Sequence, residues 1–232
     1  MDPTTEVNLV LLPGLDGSGL LFKPLLECLP SYFKITVISY PKHEFLTLDQ
    51  QIHHIQNQLP QQDFYLLAES YSGSAAIRMA TQSKNRILGL ILCSTFAHNP
   101  RPSLQWTSAF LPFIPFQLFS IQLLSRLLFR HPNPILVDLL HQAMQGIPNA
   151  VLQKRFQAVI CNNSTEYLSL IKTPTLILQA SNDWLVPKHS GHTLKQLITD
   201  STLFELNGGH GLLQENPLEV AQVIKLWIAS IV

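Results

Sequence analysis

The 232 residues are 46% hydrophobic and 13% charged, which is the composition of a globular chain with a large core. The formal net charge is zero, so no global field favours a nucleic-acid partner. The three cysteines, Cys28, Cys93 and Cys161, have no metal-like spacing, and the N-terminus has no basic region leading into an apolar one. We therefore predict a cytoplasmic protein without a disulfide framework, metal or cofactor.

Short apolar runs alternate with segments of helical periodicity along most of the chain. The predicted strands are residues 7–12, 34–39, 64–68, 87–93, 175–180 and 202–206. The predicted helices between and after them are residues 22–29, 47–59, 70–83, 188–198 and 217–231. Because the strands are almost wholly apolar and alternate with helices, we expect an α/β fold whose parallel sheet is covered on both faces.

The alternation stops between the fourth and fifth strands. Residues 96–171 are aromatic, rich in leucine and interrupted by proline, and they predict several helices inserted into a core of residues 1–95 and 172–232. Residues 102–125 carry no charge and are numerous enough to span a bilayer. Glutamines and two prolines, Pro112 and Pro115, interrupt them, so we expect two short apolar helices and no membrane span.

The third strand runs into a helix with no loop between them, which leaves Ser70 on a sharp bend. The N–H groups at the start of a helix favour developing negative charge, so this position suits a nucleophile. Ala68 and Ser72 are the small neighbours that such a bend requires, in a relaxed form of the G-x-S-x-G pattern. By itself a small-x-Ser-x-small match is more often an ordinary turn.

A serine nucleophile needs a base, and the base needs a group that orients it. His210 is the histidine in a glycine-lined loop directly after a late strand, although an exposed turn histidine would have the same pattern. Asp183 follows the fifth strand, where it could also only cap the helix near Pro187. Both positions lie beyond carboxyl ends of parallel strands, as Ser70 does, and active residues gather at that edge.

The glycine-rich loop after the first strand, residues 13–19, presents N–H groups at the same edge. A dinucleotide-binding loop would need G-x-G-x-x-G and an acid ending the next strand. Gly14, Gly17 and Gly19 have the wrong spacing, and the second strand ends in Ser-Tyr. We predict a loop that can bind an oxyanion, in which Asp16 is a turn residue bonded to its own loop.

The chain order Ser70, Asp183, His210 and the segment Leu-Leu-Pro-Gly-Leu-Asp-Gly resemble the α/β-hydrolase superfamily over nearly the whole length. The resemblance implies an α/β-hydrolase fold with a mostly parallel sheet of order 2-1-3-4-5-6 and a helical cap over the site. It implies Ser70 as nucleophile, His210 as base and Asp183 as orienting acid. It also implies that the backbone N–H groups of Leu15 and Tyr71 form the oxyanion hole.

Three residues depart from the pattern of this superfamily. Pro13 replaces a common histidine, which should matter little because the hole uses backbone groups. Ala68 and Ser72 replace the two elbow glycines, and we expect slight strain there.

The inserted helices indicate the substrate. Between residues 99 and 165 five Lys and Arg residues oppose one Asp, a net charge of +5 − 1 = +4. This surface could attract an acidic acyl carrier protein, or it could be an ordinary solvated face. The residues that we predict to bind an apolar acyl substrate are Trp106, Phe110, Phe113, Arg126, Arg130 and Arg155.

The elbow and the capped layout resemble small carboxylesterases of the pimeloyl-acyl-carrier-protein methyl ester esterase type. That resemblance implies a carboxylic ester hydrolase that works through an acyl-serine intermediate, with a carrier-linked methyl ester as one substrate and a place in biotin biosynthesis. A thioesterase or acyltransferase using the same three residues is an alternative. A non-catalytic receptor with a capped pocket is another.

Overall fold

The computed structural model describes residues 6–82, 86–110 and 113–231. Its six strands form one parallel sheet of order β2-β1-β3-β4-β5-β6, as predicted. The strands are β1 (Val7–Leu12), β2 (Phe33–Val37), β3 (Phe64–Glu69), β4 (Ile87–Cys93), β5 (Thr175–Ala180) and β6 (Ser201–Leu206).

Helices cover both faces of the sheet. They are α1 (Lys23–Cys28), α2 (Leu48–Gln56), α3 (Gly73–Ala80), α4 (Ile121–Leu128), α5 (Pro134–Met144), α6 (Asn149–Ile160), α7 (Thr165–Leu168), α8 (Lys188–Leu197), α9 (Leu212–Glu215) and α10 (Pro217–Ile231). Residues of α2, α3 and α8 pack on one face of the sheet and residues of α1 and α10 on the other. This double covering is why the strands are almost continuously apolar.

The strand register brings the candidate loops to one edge. Leu12 at the end of β1 pairs with Ala68 in β3, and Ala180 at the end of β5 pairs with Leu206 at the end of β6. The loops that follow β1, β3, β5 and β6 therefore leave the sheet side by side.

Several helix boundaries differ from the prediction by a few residues. Thr47 is the N-cap of α2 and forms a capping box with Gln50, but the helix ends three residues before the predicted position 59. The helix that follows Ser70 ends at Ala80, and the predicted end at residue 83 lies outside the described residues.

The inserted helices begin differently from the prediction. Where two short apolar helices were expected, the chain forms 3-10 helices at Pro102–Ala109 and Phe116–Leu118, and the first α-helix starts at Ile121. Pro115 has no backbone N–H and restricts the residue before it, which disfavours a continuous α-helix. Pro112 lies outside the described residues. Within the described ranges no helix has the length and apolarity needed to cross a membrane.

The inserted segment packs on the rest of the chain at two places. Phe129, Leu136 and Leu140 form a cluster around α4 and α5 that includes Leu21 from the loop region after β1. Leu168 from α7 belongs to the cluster on the α3 face of the sheet. The middle of the insertion thus packs on the region after β1, and its C-terminal part packs on the α3 face of the sheet.

Candidate active site

Ser70 lies on the predicted bend. β3 ends at Glu69, a 3-10 turn covers Ser70–Ser72, and α3 begins at Gly73. Ser70 has φ = 48°, in the left-handed region that a residue with a side chain rarely adopts. Strain of this kind is kept where the surrounding structure fixes it, and it is usual at functional sites. The side chain is partly accessible.

The non-glycine neighbours of the bend fit without strain. Ser72 has φ = −76°, so no glycine is needed there. Its buried hydroxyl donates to the carbonyl of Pro13 and accepts from the hydroxyl of Tyr40, 2.6 Å away. The slight strain expected at Ser72 is therefore absent, and the hydroxyl joins the bend to the loop after β1.

Gly73 is the glycine that the bend requires. A Cβ atom at Gly73 would lie 1.9 Å from Oγ1 of Thr95, so the two segments nearly touch. Oγ1 of Thr95 donates a 2.6 Å hydrogen bond to the carbonyl of Ser70. Thr95 could not be identified from the sequence, because nothing local distinguishes a threonine after β4 from any other loop residue.

The three predicted side chains form one hydrogen-bonded relay. Nε2 of His210 lies 2.8 Å from Oγ of Ser70, and Nδ1 of His210 lies 2.8 Å from Oδ2 of Asp183. An ionised carboxylate only accepts, so Nδ1 carries the proton and Nε2 is free to accept from the serine hydroxyl. Oδ1 of Asp183 accepts from the N–H groups of Leu185 and Val186, at 2.9 and 2.8 Å, which fixes the plane of the carboxylate. The N-cap of α8 is Pro187 and has no side-chain cap hydrogen bond, so Asp183 holds the turn before α8 and does not cap the helix.

The charge of Asp183 raises the pKa of His210. Both side chains are buried. Burial alone lowers the pKa of His210, but the charge of Asp183 and its hydrogen bond raise it more, and the carboxyl of Glu69 adds to the rise. The net result is a pKa above the usual value for histidine.

The glycines beside His210 allow the end of α4 to approach. A Cβ atom at Gly211 would lie 2.4 Å from the ring of Phe129, and one at Gly209 would lie 2.7 Å from the carbonyl oxygen of Leu128. The N–H of Gly211 donates to that carbonyl at 2.8 Å. The two glycines therefore allow a close contact between the loop of His210 and the inserted segment.

In the loop after β1, carbonyl groups accept hydrogen bonds from residues other than Ser70. Besides Pro13, the carbonyl of Gly14 accepts from Gly17 N–H, and the carbonyl of Gly17 accepts from Tyr40 N–H. Bonds of this kind fix the loop and leave donors available at the sheet edge. Tyr71 lies in the first turn after Ser70, where backbone N–H groups have no acceptor inside the helix.

Arg155 donates hydrogen bonds to two further carbonyls of this loop and to one carbonyl after β2. Its Nη1 donates to the carbonyl oxygens of Leu15 and Asp16, both at 2.8 Å, and its Nη2 donates to that of Pro41 at 3.0 Å. Arg155 is 2% exposed. Its guanidinium is held inside the molecule by three carbonyls, so Arg155 belongs neither to an exposed docking surface nor to a solvated face, the two alternatives that the sequence left open.

Two buried carboxyls lie beside the relay. Oδ2 of Asp16 accepts from the N–H and hydroxyl of Ser18, as predicted for a turn residue, and burial raises its pKa despite those bonds. Oε1 of Glu69 accepts from Nε2 of Gln214 at 3.0 Å. Burial is the main cause that raises the pKa of Glu69 to about 7, and the charge of Asp16 adds to it.

The other predicted substrate residues are exposed. Trp106, Phe110 and Phe113 are 68%, 56% and 82% exposed, so their rings face solvent and not the core. Arg126 is exposed on α4. Arg130 is exposed and donates from Nη1 to the side-chain oxygen of Asn207, in the loop that leads to His210.

Two cavities differ in their relation to the relay. One of about 340 Å³ is lined by Tyr71 and Ser74 beside Ser70, by Phe96 after β4, and by residues of α6 and α7. A larger one of about 510 Å³ lies between α4 and α5 and includes Arg126. Neither of these two cavities is lined by a residue of the relay itself. We take the smaller cavity as the candidate substrate pocket because it contains the residue next to Ser70. Across the described ranges, no group of His, Cys, Asp and Glu could hold a metal ion.

Comparison with known proteins agrees with the fold. RutD of Serratia proteamaculans (strain 568), a candidate carbamate hydrolase, is 22% identical and aligns with 98% of this chain and 92% of its own length. An esterase structure from Thermogutta terrifontis superposes with a TM-score of 0.81 at 20% identity, covering 98% of this chain and 91% of that one. The enol-lactonase structure from Burkholderia xenovorans LB400 gives 0.75 at 16% identity, covering 99% and 94%. At these identities the structures show the fold alone.

The match to a family profile is more specific. Residues 45–217 match the family described as serine aminopeptidase, S33. This range includes the bend at Ser70, the inserted helices and the loops of Asp183 and His210. The chain therefore belongs to the serine aminopeptidase S33 family and is a hydrolase with the α/β-hydrolase fold.

Proposed function

We propose that the protein is a serine hydrolase that cleaves a carboxylic ester of an apolar acyl group through an acyl-serine intermediate. The observation that carries this proposal is the relay from Ser70 through His210 to Asp183, with both hydrogen bonds at 2.8 Å and the serine on a strained bend. Such a relay can deprotonate the serine hydroxyl, which is otherwise a poor nucleophile.

In the first half-reaction Oγ of Ser70 attacks the ester carbonyl and its proton passes to Nε2 of His210. The N–H groups of Leu15 and Tyr71 stabilise the negative charge on the former carbonyl oxygen. The carbon–oxygen bond to the alcohol then breaks, and His210 returns its proton to that alcohol. Asp183 stabilises the transient imidazolium throughout.

In the second half-reaction water attacks the acyl-serine. Nε2 of His210 accepts a proton from this water, and the second tetrahedral intermediate collapses to the carboxylic acid. The proton returns to Oγ of Ser70, so the enzyme is regenerated. We assign the acyl group to the cavity of about 340 Å³, whose lining is mixed: Phe96, Val159 and Tyr167 supply apolar surface, and polar residues such as Asn162 and Glu166 supply the rest.

The test combines a fluorophosphonate probe with a p-nitrophenyl ester series of increasing acyl length. Wild type should be labelled and active, and Ser70→Ala should be neither. Ser169→Ala removes an exposed serine and should behave as wild type. No labelling of wild type, or equal labelling of Ser70→Ala, would refute the proposal.

The same relay can also attack a thioester. Acyl-CoA and an acyl-carrier-protein methyl ester, assayed beside the p-nitrophenyl esters, separate the ester hydrolase from a thioesterase. Preference for the carrier-linked ester would support docking of an acidic carrier on the exposed arginines, Arg126 and Arg130. Tight retention of ligand without turnover would instead support a receptor.

A further inference from the structure

The part of the inserted segment between residues 106 and 127, here the apolar segment, exposes many large apolar side chains. They are Trp106, Phe110, Phe113, Leu118, Phe119, Leu123 and Leu127, each at least 41% exposed. Isolated exposed hydrophobic residues are ordinary, but a concentration of this kind marks a surface that binds something.

The helix α4 shows the same excess. Leu124 and Leu128 on its inner side pack against the cluster around α5. Leu123 and Leu127, one turn apart, are 47% and 41% exposed on its outer side. The apolar face of α4 is therefore wider than its packing on α5 uses, although Gln122 and Arg126 keep part of its surface polar.

Along the chain, the charges that flank the apolar segment have one sign; in space, Asp138 shares a cavity with Arg126 and Glu215 shares one with Arg130. Arg101 precedes it, and Arg126 and Arg130 lie at its other end. The sequence has no Asp or Glu between Glu69 and Asp138. Tryptophan and phenylalanine flanked by arginines, without acids, is the composition that favours the interface of an anionic bilayer.

Residues that flank the apolar segment are hydrogen-bonded to both catalytic loops. Five residues before it, Arg101 donates from Nη2 to the carbonyl of Trp184, the residue after Asp183, and Trp184 is itself 74% exposed. Directly after it, the carbonyl of Leu128 accepts from Gly211 N–H, next to His210. A surface that held this segment would therefore lie beside the relay.

From these four observations, and resting on the proposed function, we propose that the apolar segment docks on an anionic lipid surface. Docking presents the relay to esters held in that surface. A symmetric dimer through the same segment would place the arginines of one copy against those of the other. An acidic protein partner would match the arginines but not the uncharged aromatic residues between them.

The test is co-sedimentation of Ser70→Ala protein, which cannot turn over lipid, with vesicles of phosphatidylcholine alone or with 30% phosphatidylglycerol. We expect at least about tenfold stronger binding to the anionic vesicles. Adding L118S/L123S to this protein should weaken binding to the anionic vesicles about tenfold or more, because two exposed leucines can no longer insert into the bilayer. L218S/L226S removes two exposed leucines of α10 instead and should bind as the parent does.

Three outcomes would overturn the proposal. One is no binding to either vesicle, and another is equal binding by L118S/L123S and the parent. The third is a concentration-dependent dimer, or retention on an immobilised acyl carrier protein, that L118S/L123S abolishes while no vesicle is bound. Melting curves serve as the control that each variant is folded. Vesicle binding by a wild type that hydrolyses no ester would refute the proposed function and leave the docking surface standing.

Discussion

Nη1 of Arg155, in α6, donates to the carbonyl oxygen of Leu15 over 2.8 Å, although 139 residues separate the two in the chain. This contact ties the inserted helices to the loop whose N–H we assign to the oxyanion hole. A shift of the inserted helices would therefore change the geometry of the proposed oxyanion hole.

Arg155→Met should impair the chemical step. Three buried carbonyls lose their donors, and the loop that carries Leu15 is no longer held, so we expect kcat to fall about tenfold or more with a smaller change in KM. Arg155→Lys keeps the charge but not the planar fork, and it should be intermediate. Lys154→Met removes the exposed neighbouring cation as a control. Wild-type kcat in a folded Arg155→Met would contradict the assigned role.

The acid limb of the pH–rate profile should depend on Asp183. His210 must be neutral to act as base, and its pKa is raised, so kcat/KM should fall as the pH drops through a value above the usual pKa of histidine. Asp183→Asn should lower kcat by about 10³- to 10⁴-fold and move this limb to lower pH. Asp200→Asn, at an exposed carboxylate, should leave the profile unchanged. An acid limb that stays in place in Asp183→Asn would assign it to another group.

Gly73→Ala should disrupt the bend. Its methyl group would meet Oγ1 of Thr95 at 1.9 Å, so α3 must move and Ser70 with it. We expect a loss of about 2 kcal/mol or more in the free energy of unfolding and weaker fluorophosphonate labelling. The penalty should be smaller when Thr95→Ala is also present, because the two side chains clash with each other. Additive penalties in this double-mutant cycle would rule out the clash as the cause.

Glu69 should make the protein less stable as the pH rises. Its pKa is about 7 in the folded protein and near its ordinary value, 4.5, when unfolded. Between these values the folded state holds the extra proton, so the stabilisation present below pH 4.5 is lost on rising to about pH 7. One such group contributes a slope of at most about 1.4 kcal/mol per pH unit.

Chemical denaturation from pH 4 to 8 measures that slope. Glu69→Gln cannot ionise and keeps an amide oxygen for Gln214, so it should remove the part of the slope that Glu69 supplies. Glu219→Gln, at an exposed carboxylate, serves as the control. Identical slopes for wild type and Glu69→Gln would show that Glu69 is not the titrating group.

The sequence identified those features that are encoded within a few neighbouring residues. Continuous apolar runs fixed β1, β4 and β5 at their observed bounds, because a strand buried on both faces ends where polar residues begin. Ser70, Asp183 and His210 could be grouped because each directly follows a strand, and parallel strands share one carboxyl edge. The bend could be located from the sequence because a strand that is followed at once by a helix requires the chain to turn at Ser70.

Only the tertiary structure showed which distant residues hold the site in place. The hydroxyl of Tyr40 reaches Ser72 and that of Thr95 reaches Ser70, each across at least 25 residues of chain. Arg155 in α6 and Arg126 in α4 are the same residue type in the same insertion, yet Arg155 is buried under the loop after β1 and Arg126 is exposed. Composition could count these arginines but not separate them, because burial of an arginine depends on whether carbonyl groups from distant segments converge on its guanidinium.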